Sequence, residues 1–309
     1  MEKRLYSASL SQKEYETVCS ESRQGIQLTE DEVLRLDALI SPLLRKGQSL
    51  HHICASHVDE IMVDQRALYN YVDAGIFSAK NLDMPRVVRM GKRKKKKDGF
   101  KVDKKCRIGR TYQDFLDFMN KHPGTTVVEM DSVEGVKGGK VLLTLHFKIP
   151  QFMLAFIRDA NTSKSVIDTF NKLTQDLGLD TFCRLFQVLL GDNGSEFTNP
   201  TAIEIDQQGT RRTRVFYCDP QAPYQKPAVE NNHGLIRRVI PKGTSLDAFS
   251  QEDITLMMNH INSYKRANLG DKTPYEVFAS LYGEDILRRM GADLIPADKV
   301  TLLPYLLKK

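Results

Sequence analysis

Residues 125–157, TTVVEMDSVEGVKGGKVLLTLHFKIPQFMLAFI, decide the fold. Thr125 to Met130 reads as a short apolar strand that ends at Asp131. After the Gly-rich turn from Gly135 to Gly139, positions 141, 143, 145, 147 and 149 are Val, Leu, Leu, Phe and Ile, an alternation with a period of two. A third strand follows from Phe152 to Ile157. The breaks between these runs are short and no long crossover separates them, so the three are expected to form a consecutive antiparallel meander. Downstream the period changes. Val166, Phe170, Leu173 and Leu177 recur at helical intervals behind the cap candidates Thr162 and Ser163, with Gly178 as the stop. A buried strand, Phe186 to Leu190, delivers Gly191 and Asp192 at its carboxyl end, and another strand is expected from Arg214 to Cys218. A Pro-rich loop leads to a helix from Ala228 to Val239 that carries Glu230 and stops before Pro241. Ser250 caps a helix with Ile254, Met257, Met258, Ile261 and Tyr264 on one face. Thr273-Pro274-Tyr275-Glu276 then combines a cap, a proline at the first helical position and a glutamate at the third.

Upstream of the meander the chain reads as helical. Val33, Leu34, Leu36, Leu39, Ile40, Leu43 and Leu44 have helical spacing with Gly47 as a stop; Ser49 can cap a short second helix, and a third runs from about Asp64 to Val72. Two arrangements fit: a plain three-helix bundle, or a helix-turn-helix whose last helix presents Gln65, Arg66 and Asn70 to a major groove. The next segment favours the second. Between Met84 and Arg110 there are thirteen Lys or Arg against two Asp, a balance of +11 in a chain whose net charge is +6, which leaves −5 for everything else. Basicity focused in this way, above all in Lys94, Lys95, Lys96 and Lys97, is the pattern of an arm that tracks phosphates.

Other classes are set aside by composition. The most apolar stretch, Val141 to Ile157, is interrupted by His146, Lys148 and Pro150, so no membrane span is expected. The start, MEKRLYSASLSQKEY, has charges where a signal peptide needs an apolar run, and a cytoplasmic protein is expected. Five cysteines, Cys19, Cys54, Cys106, Cys183 and Cys218, are too few and scattered for a disulfide framework and read as reduced. His51, His52, Cys54 and His57 form the one local cluster of potential zinc ligands. Zinc usually needs a second ligand pair at a definite distance, and none is visible, so these read as polar positions on a short helix.

The order of elements, with carboxylates at the end of the first strand, the end of the fourth and the start of a late helix, resembles the ribonuclease H-like fold of transposases and retroviral integrases. The blocks EMDSVEG (129–135), LLGDNGSEF (189–197) and APYQKPAVENNHGLIRRVIPKG (222–243) are similar to those of the IS30 family of bacterial insertion-sequence transposases. The resemblance implies an α/β, ribonuclease H-like (integrase-type) catalytic domain preceded by an all-α helix-turn-helix domain. The division expected is 1–83 for the helical unit, 84–110 for a basic linker, 111–283 for the catalytic domain and 284–309 for a tail.

Carried over residue by residue, the family's Asp-Asp-Glu triad falls on Asp131, Asp192 and Glu230. The implied chemistry is metal-dependent cleavage at insertion-element ends and transfer of the freed strand into target DNA. Two Mg2+ ions, with Mn2+ as substitute, suit this, because hard cations prefer carboxylate oxygens and a pair about 3.5 to 4 Å apart can serve both the attacking and the leaving oxygen. Asp131 would bridge both ions, with Asp192 on one and Glu230 on the other. Asn231, Arg237, Arg238 and Lys242 on or after the last helix are candidate backbone contacts, and Tyr224, Gln225 and Lys226 before it are candidate guides for the substrate strand. Glu196 reads either as a supporting acid or as exposed. The implied partners are terminal repeats and target duplex, with a homodimer or larger assembly on DNA. A catalytically inactive DNA-binding regulator and a nuclease of the same fold are the alternatives.

Overall fold

The computed structural model describes residues 7–21, 28–85, 105–220 and 222–307. Its helices and strands run α1 (Ala8–Glu21), α2 (Glu30–Arg45), α3 (Leu50–Ser56), α4 (Gln65–Asp73), α5 (Tyr112–Lys121), β1 (Val127–Glu134), β2 (Val141–Phe147), β3 (Met153–Arg158), α6 (Ser163–Leu177), α7 (Leu179–Leu185), β4 (Val188–Gly191), α8 (Pro200–Glu204), β5 (Arg214–Tyr217), α9 (Pro227–Val239), α10 (Gln251–Asn262), α11 (Pro274–Tyr282) and α12 (Glu284–Arg289). Among the described residues no helix is long and apolar enough to cross a membrane.

The five strands make one sheet in the order β3-β2-β1-β4-β5. β1, β2 and β3 pair antiparallel, as the meander requires, while β4 and β5 run parallel to β1. Parallel pairing demands a crossover, and α6 and α7 supply one before β4, with α8 before β5. This is the ribonuclease H-like arrangement expected from the sequence, with a helical region in front of it.

Alternation along each strand sorts side chains onto two faces. One face carries Val128, Met130, Leu143, Leu145, Phe147 and Leu154, which pack with residues of α6, α7, α11 and α12. Phe147 is the hub, with ring centroids 5.1 Å from Phe186, 5.2 Å from Phe278 and 6.3 Å from Phe152. Burying a side chain of this size contributes about 1.5–3 kcal/mol. The other face is split. Val133, Leu142, Met153 and Ala155 pack under α9, α10 and the tail, whereas Val127, Val188, Leu190, Phe216 and Cys218 pack with α5. Between these two apolar patches lies a row of polar residues: Glu129, Asp131, Thr144 and His146.

Strand boundaries move by one to three residues. β1 continues three residues beyond Asp131, because Asp131 to Glu134 stay paired with Thr144 to Val141. β2 stops at Phe147, whose N–H closes the turn onto Phe152 O at 2.8 Å; Pro150 has no N–H to extend the ladder. β3 extends to Arg158, paired with Val141. Helix starts follow their caps: Thr162, Ser250 and Thr273 each accept from the amide three residues on, and the last two complete capping boxes with Asp253 and Glu276.

The helical unit has its own core of Leu36, Ile40, Leu44, Ile53, Leu68, Tyr71 and Phe77. It docks on the sheet domain through the α2–α3 turn. Gly47 there has φ 79°, and a Cβ would lie 3.1 Å from the Leu303 side chain and 3.2 Å from Leu302 O, so a glycine is needed for both conformation and approach. The buried Gln48 amide donates to Ala297 O and Val300 O at 2.8 and 2.9 Å. Far from trailing free, residues 300–307 thus place Val300, Leu302 and Leu307 in the layer with α9 and α10.

Candidate active site

Glu129 and Asp131 share a strand face, being two residues apart on β1. β4 lies alongside in parallel, with Glu129 level with Leu190, and continuing that register by two residues sets Asp192 level with Asp131. Asp131 Oδ1 accepts the Ser132 N–H at 2.8 Å; its side chain keeps 20% exposure. Asp192 Oδ1 accepts the Gly194 N–H at 2.9 Å. A Cβ at Gly194 would crowd the carboxylate ends of Glu196 and Asp192, so the turn keeps these two side chains close to its backbone. Asn193 ties the same turn to β5 through a bond from its Nδ2 to Cys218 O at 2.8 Å.

Burial pushes the Asp192 carboxyl above the usual carboxylate range; the Lys226 ammonium opposes this, and the Asp131 charge adds to it. The two carboxylates therefore feel one another, and a cation stands between them and neutrality. Lys226 Nζ lies 3.4 Å from Asp131 Oδ2 and donates to Met130 O at 3.1 Å. His233, nearly two turns into α9, places Nδ1 4.0 Å from the same Asp131 oxygen, with Nε2 2.8 Å from Thr144 Oγ1. Burial holds its imidazole down to about 4, helped by Lys226 and Arg237, so it is neutral at pH 7.

Glu230 occupies the exposed first turn of α9, directly after Val229. Among the described residues, no three His, Cys, Asp or Glu side chains gather closely enough to hold a metal ion. Asp131 and Asp192 are thus brought together while Glu230 stands apart at the rim.

Several expected DNA contacts are placed elsewhere. Lys226 is only 6% exposed and turned onto Asp131, so it is an internal counter-charge and not an outward phosphate contact. Gln225 is buried, donating to Asp219 Oδ2 at 2.8 Å and accepting the Asp219 N–H at 2.7 Å, which holds the loop. Arg237 donates to Glu134 O at 2.6 Å, and Arg238 to Gly47 O, which ties α9 to the helical unit. Glu196 is buried, not exposed. Tyr224, Asn231 and Lys242 remain on the surface, as do Arg66 and Asn70 on α4, with Gln65 half-buried. Lys94, Lys95, Lys96 and Lys97 lie outside the described residues.

The histidine cluster forms part of the seam between the helical unit and the sheet domain. His52 is fully buried, stacks on Tyr264 with centroids 4.4 Å apart and accepts the Lys265 N–H at Nδ1. His51 Nε2 lies 2.9 Å from Asp271 Oδ1, and His57 Nε2 lies 3.1 Å from Asp298 Oδ1. Sequence reasoning also passed over Glu129, Thr144 and His233. A signal existed for the first: an acid two residues before Asp131 on a strand must share its face.

No protein-family model matches the chain. Among curated proteins, it is 27% identical over 230 residues to the probable transposase for insertion-like sequence element IS1161 of Streptococcus salivarius, covering 71% of this chain and 61% of that protein. It is 28% identical over 153 residues to the transposase for insertion sequence element IS1086 of Cupriavidus metallidurans, with 50% and 43% covered. The transposase InsI for insertion sequence element IS30A of Escherichia coli is 27% identical over 152 residues, with 48% and 37% covered. The matches thus span between 37 and 61% of these relatives' lengths. Among solved structures, the catalytic core domain of BIV integrase superposes with a TM-score of 0.35 at 19% identity, over 54% of this chain and 99% of that one. The chain is thus similar in sequence to transposases of bacterial insertion-sequence elements, that of IS30A among them.

Proposed function

We propose that the chain is a DNA transposase that cleaves insertion-element ends and transfers the freed strand into target DNA. The observation that carries this reading is the placement of Asp131 on β1 and of Asp192 directly after its parallel neighbour β4, where the two carboxylates interact, with Glu230 on a helix bonded to β1. The donor set fits hard divalent cations: the Asp pair is all carboxylate oxygen, repels itself, and draws the Lys226 ammonium. Asp131 and Asp192 would hold the ions, with Glu230, which stands apart at the rim, drawn in from α9 as the third ligand. When bound, Mg2+ or Mn2+ supplies charge at the attacking and leaving oxygens of a phosphodiester.

The first step consumes water: its oxygen bonds to the scissile phosphorus, the P–O3' bond breaks, and the 3' oxygen leaves protonated as a hydroxyl. In the second, that 3'-hydroxyl attacks a target phosphorus, one P–O3' bond breaks as another forms, and the proton given up by the attacking oxygen ends on the target 3' oxygen, which leaves as a hydroxyl. Both are phosphoryl transfers, so no covalent protein–DNA intermediate is needed. Arg66 and Asn70, exposed on α4 beside Gln65, are the proposed base readers, and the basic segment around Lys94–Lys97 the proposed phosphate arm. Two element ends joined in one reaction call for at least two copies of the chain on DNA.

The test is a substitution series in which Asp131→Asn, Asp192→Asn and Glu230→Gln each remove a ligand at constant size. Each is expected to abolish cleavage with DNA binding retained. Near-normal cutting by any one removes that residue from the triad, and comparable loss of folding in all three removes the catalytic reading.

A further inference from the structure

The contact between β1 and α9 contains a residue that the acidic trio does not explain. Glu129 is 1% exposed and its Oε2 accepts the Val229 N–H at 2.9 Å. A carboxylate buried to this degree is costly unless it is paired or bonded, and here burial pushes the carboxyl above its ordinary range while the Val229 bond pulls it back.

Helix α9 explains why such a group is kept. Its N-cap residue is Lys226, which makes no side-chain cap bond. An ammonium can only donate, whereas the free amides of a first helical turn need an acceptor. Pro227 at the first helical position has no N–H to satisfy. The amide left in the interior is that of Val229, and β1 answers it with Glu129, which also sets a negative group against the positive end of the helix dipole. Lys226, unable to cap, points the other way and grips β1 at Met130 O and Asp131. The start of α9 is therefore pinned to β1 from both sides, immediately before Glu230.

We infer that Glu129 is a positioning residue: it caps α9 in trans from the strand that bears Asp131, and thereby sets where Glu230 stands relative to Asp131. The inference rests on the proposed role of the three carboxylates as metal ligands. Glu129 touches neither substrate nor metal in this assignment; it acts through the Val229 amide.

The experiment measures Mn2+ affinity of the DNA-free chain by electron paramagnetic resonance, in wild type and in the variants E129L, E129Q, E230Q, D131N and E129L/E230Q. E129L is expected to weaken Mn2+ binding about 10- to 100-fold, the usual effect of removing a group that orients a ligand. E129Q keeps an amide oxygen for the Val229 N–H and is expected to stay within about 3-fold of wild type. Because Glu129 acts through Glu230, adding E129L to E230Q should cost less than about 3-fold more. Additive losses in the double variant, E129Q as damaging as E129L, or E129L unchanged would each overturn the inference. So would an E129L chain that has melted at the assay temperature, since Glu129 would then be a folding residue. D131N separates the two levels: if D131N binds Mn2+ normally, the metal-site reading itself has failed, whereas if D131N loses the ion and E129L does not, only the role of Glu129 has.

Discussion

Two buried histidines make the joint between the helical unit, the tail and α10 sensitive to acid. His52 Nδ1 accepts the Lys265 N–H, and His260 Nδ1 accepts the Thr301 N–H, each at 3.0 Å. Protonating either nitrogen turns an acceptor into a donor facing another donor. Burial holds both imidazoles down to about 4 from an ordinary value of 6.5. With the folded value depressed, their stabilisation is complete above pH 6.5 and is lost as pH falls from there toward 4, because the unfolded chain takes up protons first. At pH 5 the deficit is about 1.5 pH units, or roughly 2 kcal/mol for each group. His233 and His146, held down to about 4 and about 3, act in the same direction. Glu129 and Asp192, whose carboxyls are raised by burial, work in the opposite direction and offset part of the loss. Urea unfolding at pH 7.5 and pH 5.0 should reveal a loss of several kcal/mol in the wild type. The double variant H52N/H260N keeps an oxygen where each Nδ1 accepts and cannot titrate, so it should lose about half as much. An identical pH dependence in wild type and double variant would refute the reasoning.

Three further outcomes are expected. Chelation with EDTA should stop strand cleavage, Mg2+ or Mn2+ should restore it, and Ca2+ should support binding with little turnover, since phosphoryl transfer favours the tighter geometry of the smaller ions; undiminished cleavage in chelator would remove the metal proposal. Gly135→Ala should destabilise the chain by about 1–3 kcal/mol in thermal or urea melts, because its Cβ would fall 2.2 Å from Thr244 O, a backbone atom that cannot swing aside; an unchanged melt would show that the 135–139 turn yields freely. Replacing Lys94 to Lys97 with Ser should weaken binding equally on cognate and random duplexes, lowering the salt slope by about 0.9 per lost phosphate contact. Arg66→Ala or Asn70→Ala should instead cost about 1–3 kcal/mol of preference for the cognate end. Affinities on both duplexes across a salt series decide it, and the reverse pattern would exchange the roles of arm and reader.

What the sequence made legible follows from periodicity and caps. The alternation at 141–147 fixed β2, whereas the polar members Thr144 and His146 on the face of Asp131 went unread. Thr162, Ser250 and Thr273 announced their helices because a side chain three residues from an amide is a local device. Helix α5 was overlooked although Thr111 and Asp114 form a capping box, because the basic run before it drew the boundary. Short α7 and α8 escaped because five to seven residues cannot display a helical period. Side-chain direction was the least legible. Nothing local distinguishes a lysine that meets a phosphate from one that turns onto Asp131, and Lys226 does the latter because two carboxylates wait beneath it. Arg238 likewise reaches Gly47, a partner 191 residues away in sequence.

The central claim is tested most directly by incubating the full chain with Mg2+, a duplex bearing the terminal sequences that flank its own coding region, and a target plasmid, then mapping broken and joined strands at nucleotide resolution. The expected products are a nick that exposes a 3'-hydroxyl at the element end and covalent joining of that strand to the plasmid, both lost in Asp192→Asn. Binding without any broken strand, cutting without joining, or equal products from the Asp192→Asn chain would contradict it.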